Sequence, residues 1–155
     1  MGRIKQPAGI LAPHDAREWS RRDATHLLWR TQCGATAAEI AATHKVGLAK
    51  SLERLLTPQK ETADFEGIES LLREAAYDTG AVGDLQAWWL HRMHYTANPL
   101  TEKLTLFWHN HFATSFSKVQ SVPHMAAQND RFRAKALGSF RELLHAMAKD
   151  VAMLI

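Results

Sequence analysis

A single cysteine, Cys33, is too few for an internal disulfide, so oxidative cross-linking does not hold this chain of 155 residues together. Beside Gly34, that thiol reads as a small buried hydrophobe near a turn. Valine and isoleucine are scarce next to leucine and alanine, and no stretch alternates polar and apolar residues for long enough to suggest a strand. Long apolar runs are missing as well. The basic start Met1-Gly-Arg-Ile-Lys-Gln-Pro7 has no hydrophobic stretch behind it, so neither a secretory signal nor a membrane span is expected, and a cytoplasmic location is the default. No Gly-rich phosphate loop, CxxC, HExxH or GxSxG pattern occurs, so the familiar short catalytic signatures are absent.

What is present fits a soluble globular domain. Hydrophobic residues make up 46% and charged residues 23% of the chain. The length suits one domain with a real core, and the leucine–alanine bias points to an all-α fold. The expected architecture is an irregular array of about seven to eight helices. The net charge of +3 sits entirely in the last third: residues 1–100 carry 12 basic and 12 acidic side chains, residues 101–155 carry 7 and 4. An excess of that size reads first as a solvated face, and nucleic acid is an unlikely partner.

Residues 1–19, with Pro7, Gly9 and Pro13, read as an irregular lead-in, and residues 20–155 as the helical domain. Ser20…Asp23, Thr36…Glu39 and Ser139…Glu142 have capping-box spacing. The first predicts a helix ending near Gly34, the second a short helix broken by Gly47. Leu48, Leu52, Leu55 and Leu56 mark the next, stopped by Thr57-Pro58. Residues 58–66 read as a loop. Ile68, Leu71, Leu72, Ala75 and Ala76 form a helical face that closes around Gly80 and Gly83. A bulky helix over 84–95 follows, with Trp88 and Trp89 as core packing. Asn98-Pro99 starts another, with Asn98 as N-cap. A loop of about ten residues after Ala113 leads to a helix from Ser121 or Pro123 to Leu137-Gly138. The last capping box carries Phe140, Leu143, Leu144 and Met147 inward.

The stretch Thr101–Ala113 concentrates the chemistry. It is apolar on most sides, yet holds Glu102, Lys103, His109, Asn110 and His111. Burying such groups costs roughly 1–3 kcal/mol each when unpaired, and more for a charge. On a regular helix Glu102, Thr105 and His109 fall within about one sixth of a turn of each other, while His111 points to the opposite side. The pair His109-x-His111 is therefore no two-finger clamp. Glu102 lies two turns from His109, about 10 Å along the axis, so another group must intervene between them. His91 and His94 could face this helix across the Asn98-Pro99 turn and, with it, reach the ligand count of a zinc or iron site. Trp108 reads as core packing, and neither Ser115 nor Ser117 is singled out as a nucleophile.

The segment Glu102-Lys-Leu-Thr-Leu-Phe-Trp-His-Asn-His-Phe-Ala-Thr-Ser115 closely resembles the hallmark of the bacterial domain of unknown function 1800 family. His26–Arg30, Gly34–Glu39, Leu85–Met93, Gln128-Asn129, Ala136–Leu144 and Asp150–Leu154 extend the resemblance over about residues 23–155. It implies a largely helical fold and, because members run to several hundred residues, that this chain is the N-terminal part of a larger helical domain. The apolar finish Val151–Ile155 fits that expectation. Cys33 stands where the family usually has an aromatic residue. Members often have a neighbouring gene, which implies a protein partner encoded nearby. The family has no agreed activity, so the resemblance implies no reaction.

Two readings of function follow. In the first, Glu102 and His109 act as acid/base groups, or His109 and His111 ligate a divalent metal, with the site completed by sequence beyond residue 155. In the second, the chain is a non-catalytic scaffold or partner-binding module whose histidines form a structural hydrogen-bond network. Self-association of the chain expressed alone is expected in either case.

Overall fold

The computed structural model describes residues 16–155, so most of the expected lead-in lies outside the described residues. Among them are ten α-helices and no strand, an all-α fold. The helices are α1 (Arg21–Thr31), α2 (Ala37–Val46), α3 (Leu48–Leu56), α4 (Ala63–Thr79), α5 (Val82–Tyr95), α6 (Pro99–His111), α7 (Phe116–Val119), α8 (Val122–Lys135), α9 (Phe140–Met147) and α10 (Val151–Leu154).

Local chemistry explains most boundaries. Ser20 with Asp23 and Thr36 with Glu39 form reciprocal capping boxes that satisfy the first free N–H groups of α1 and α2. Gly47, at φ 90°, lets the chain break between α2 and α3, and Gly80, at φ 65°, is the left-handed cap of α4.

Several expectations need correction. α1 ends at Thr31, before Gly34. The 58–66 loop is shorter, because the Thr62 hydroxyl accepts the Phe65 N–H and starts α4 at Ala63. Gly83 lies inside α5 rather than closing α4. The long loop after Ala113 holds the short helix α7. Ser139 makes no side-chain cap, and Glu142 reaches Lys135 instead. Cys33 is exposed, not buried.

Packing centres on α8, which touches α4, α5, α6, α7, α9 and α10. Phe132 of α8 joins Leu143 and Met147 of α9 in an apolar cluster, with Trp108 and Phe112 against it. Beside this cluster the interior is polar. Glu102, Thr105, Gln128, Asn129 and Asp150 are all buried. Conversely Ile68, Leu71, Phe140 and Leu144, expected to point inward, are exposed, Leu71 by 67% and Phe140 by 50%. α4 turns Phe65, Glu69, Leu72, Arg73 and Ala76 towards its neighbours instead of its leucine–isoleucine stripe. Glu69 and Arg73 have partners on other helices, and that decides which face goes in.

Candidate functional site

Pro99 in the first turn launches α6, as expected, but the Asn98 side chain does not cap it. Asn98 Oδ1 accepts from the Gln59 backbone N–H at 2.7 Å, and Nδ2 donates to the Gln59 carbonyl and to Glu61. Glu61 also accepts from the Thr96 hydroxyl at 2.6 Å and the Ala97 N–H at 2.8 Å. Burial pushes the Glu61 carboxyl upward, but these three donors and Arg92 outweigh it and hold the group below its ordinary range. The turn between α5 and α6 is thereby pinned to residues 59–61.

One turn further on, Glu102 lies at the centre of the molecule, only 1% exposed. Four N–H groups surround its carboxylate. Trp89 Nε1 donates at 3.2 Å, Arg92 Nε at 3.2 Å, Arg133 Nε at 2.6 Å and Arg133 Nη2 at 3.2 Å. The charges continue outward. Arg92 also meets Glu69 at 3.0 Å, Arg73 bonds Asp130 through both terminal nitrogens at 2.7 and 2.9 Å, and Arg133 Nη1 reaches Asp130 at 2.7 Å. Three carboxylates, Glu69, Glu102 and Asp130, thus balance three guanidinium groups, Arg73, Arg92 and Arg133.

All three arginines lie over the ring of the fully buried Trp88, at 4.6, 5.9 and 5.4 Å from its centroid in chain order. The Trp88 indole N–H donates to Glu69 at 2.7 Å. Burial raises the Glu69 carboxyl, and the Trp88, Arg73 and Arg92 donors more than reverse this, so it lies below its usual range. Arg73 is raised in turn, chiefly by its bonds to Asp130 against the cost of burial.

His109 joins this network indirectly. Its Nε2 lies 3.0 Å from Asn129 Nδ2, and Asn129 Oδ1 accepts a short hydrogen bond from Arg133. The link from Glu102 to His109 therefore runs through Arg133 and Asn129. The ring packs against Trp89 and Phe132, both at 4.6 Å between centroids. Burial, then the nearby Arg133 charge, lowers its pKa to about 4, with Asp150 pulling weakly the other way. His109 is a neutral imidazole at pH 7.

The remaining candidates lie elsewhere. His111 is exposed, stacked on Phe107 at 6.2 Å and edge-on to Phe140 at 6.1 Å. His91 stacks on Phe65, and its Nε2 is buried without a hydrogen-bond partner among the described residues. His94 is exposed beside Tyr95. Among the described residues no three His, Cys, Asp or Glu side chains gather as a metal-binding group. Ser115 and Ser117 bond each other at 2.8 Å. A cavity of about 380 Å³ opens over Glu102, Arg92, Arg133 and Glu61, and His109 does not line it.

Arg92, Arg133, Asn129, Asp130, Glu69 and Arg73 were not singled out from the sequence. Glu69…Arg73 at i, i+4 and Asp130…Arg133 at i, i+3 were the available signals, and both spacings are equally common on solvated helices. Gln128 and Asn129, at 0% and 3% exposure, are the polar pair that α8 carries into the core.

Residues 26–155 match the family described as protein of unknown function DUF1800. The chain belongs to the DUF1800 family. The match covers every element of the network, from Glu61 to Asp150, so the buried charges lie within the DUF1800 domain. No curated protein and no solved structure matches the chain.

Proposed function

We propose that this DUF1800 chain is a non-catalytic helical module, a scaffold whose Glu102–Arg133–Asn129–His109 network fixes how its helices pack. The observation that carries the reading is the state of Glu102. Both oxygens accept from nitrogen donors, and every hydrogen-bonding partner is a donor. A general base must take a proton and pass it on, whereas this carboxylate is enclosed by groups that only give hydrogen bonds. Such a network ties α4, α5, α6 and α8 together with directional contacts that an apolar core would not supply.

One observation favours a second reading. His109 stays neutral and its ring is oriented through Asn129, the condition of an imidazole that ligates a divalent metal or acts as a base. His111 diverges from it, so a metal held by both would require the end of α6 to unwind.

Metal analysis of the purified protein beside urea unfolding of wild type and His109→Ala separates the two readings. The scaffold reading expects no stoichiometric metal and a clear loss of stability in the variant. Stoichiometric zinc or iron in the wild type, lost in His109→Ala with stability unchanged, would overturn it.

A further inference from the structure

Two exposed surfaces of this molecule are apolar and opposite in charge. On α4, Asp64, Ile68, Leu71 and Asp78 recur at i, i+4, i+7 and i+14, which places them on one face. Ala75 lies within that face and Glu74 flanks it, all are exposed, and none of its acids has an ion pair among the described residues. This 17-residue helix therefore shows an acidic, amphipathic face to the outside.

The second surface lies between α6 and α9. Lys103 and Phe107 are one turn apart on α6, and Phe140 and Leu144 one turn apart on α9, with Arg141 beside them. His111 bridges the two rows, at 6.2 Å from Phe107 and 6.1 Å from Phe140. Of the four acidic residues after position 100, Glu102 and Asp150 are buried, Asp130 is held by Arg73 and Arg133, and only Glu142 is well exposed. Lys103 and Arg141 have no ion pair among the described residues.

We infer that the exposed apolar face of α6 and α9 binds α4 of a second copy of this chain, giving head-to-tail association. Ile68 and Leu71 pack against Phe107, Phe140 and Leu144, while Asp64 and Asp78 face Lys103 and Arg141. Apolar contact supplies the affinity and charge sets partner and direction. In this head-to-tail contact each copy leaves its other face free, so the association propagates. None of these side chains belongs to the Glu102–His109 network, so the inference stands or falls separately from the scaffold reading.

Sedimentation velocity on the full chain tests it, with two charge-reversed variants. One carries Asp64→Lys with Asp78→Lys, the other Lys103→Glu with Arg141→Glu. The wild type should form a concentration-dependent series of oligomers, weakened about tenfold or more when salt rises from about 50 mM to about 500 mM. Each variant alone should be monomeric. Mixed, each face of one variant meets an oppositely charged face on the other, so the two should co-assemble into an alternating 1:1 series. A wild type that stays monomeric at about 100 μM would overturn the inference. So would oligomers indifferent to both reversals, a closed dimer lost in only one variant, or a mixture that stays monomeric.

Discussion

Acidification should destabilise this protein through His109 before it reaches Glu39, Glu61 and Glu69. The imidazole has an ordinary pKa of 6.5 and is held at about 4 in the folded chain, first by burial and then by Arg133. Below pH 6.5 the unfolded chain binds a proton that the folded chain refuses. The unfolded state then carries more protons, and stability rises with pH across the window from about 4 to 6.5. At 1.36 kcal/mol per pH unit, the whole gap amounts to about 3 kcal/mol, and the step from pH 6.5 to pH 5 to about 2 kcal/mol. Glu39, Glu61 and Glu69 act lower. Their folded values lie below 4.5, so the stability they supply is present above 4.5 and is lost as pH falls through those lower values. The interval between pH 5 and pH 6.5 thus isolates the histidine among the groups with shifted values. Urea unfolding of wild type and His109→Gln at both ends reads the effect. Wild type should lose about 2 kcal/mol relative to the variant on going to pH 5. Parallel curves for the two proteins would refute the reasoning, because burial of a neutral imidazole would then contribute nothing.

Replacing Glu102 by Gln puts an amide against two guanidinium groups and should cost about 3–5 kcal/mol in urea unfolding, since a buried ion pair loses one partner; a loss under about 1 kcal/mol would mean that Arg92 and Arg133 are satisfied by Glu69, Asp130 and Asn129 alone. Trp88→Phe keeps a ring beneath the three arginines but removes the 2.7 Å indole bond to Glu69. It should cost roughly 1–2 kcal/mol, read by the same assay, and an unchanged midpoint would show that Arg73 and Arg92 suffice for that carboxylate.

The parts legible in the sequence were those whose physics is local. A capping box joins residues three apart, and a break at Gly47 or Gly80 needs only a backbone that accepts positive φ, so the all-α class and most helix starts could be read directly. The exclusion of His109-x-His111 as a clamp was also local, because helical periodicity alone separates the two rings. The same spacing failed at Ser139…Glu142, where Glu142 is drawn to Lys135 on the preceding segment. The Asn98 side chain likewise left its cap for residues 59 and 61. In both cases the side chain finds a partner outside the three-residue span of a cap.

Burial was decided almost wholly by the tertiary structure. Hydrophobic periodicity turned Ile68, Leu71, Phe140 and Leu144 inward, yet Glu102 is buried and Glu69, Arg73, Arg92 and Arg133 lie half-buried around it. An isolated charge cannot be buried at that depth, so a pattern read one helix at a time sends it to solvent. Only when α4, α5, α6 and α8 come together do three carboxylates meet three guanidinium groups around Trp88, and burial becomes affordable for the set. The sequence by itself determined the helices and the Glu102–Thr105–His109 face. That Arg133 and Asn129 join the ends of this face, while the leucines of α4 and α9 stay outside, was settled only by the packing.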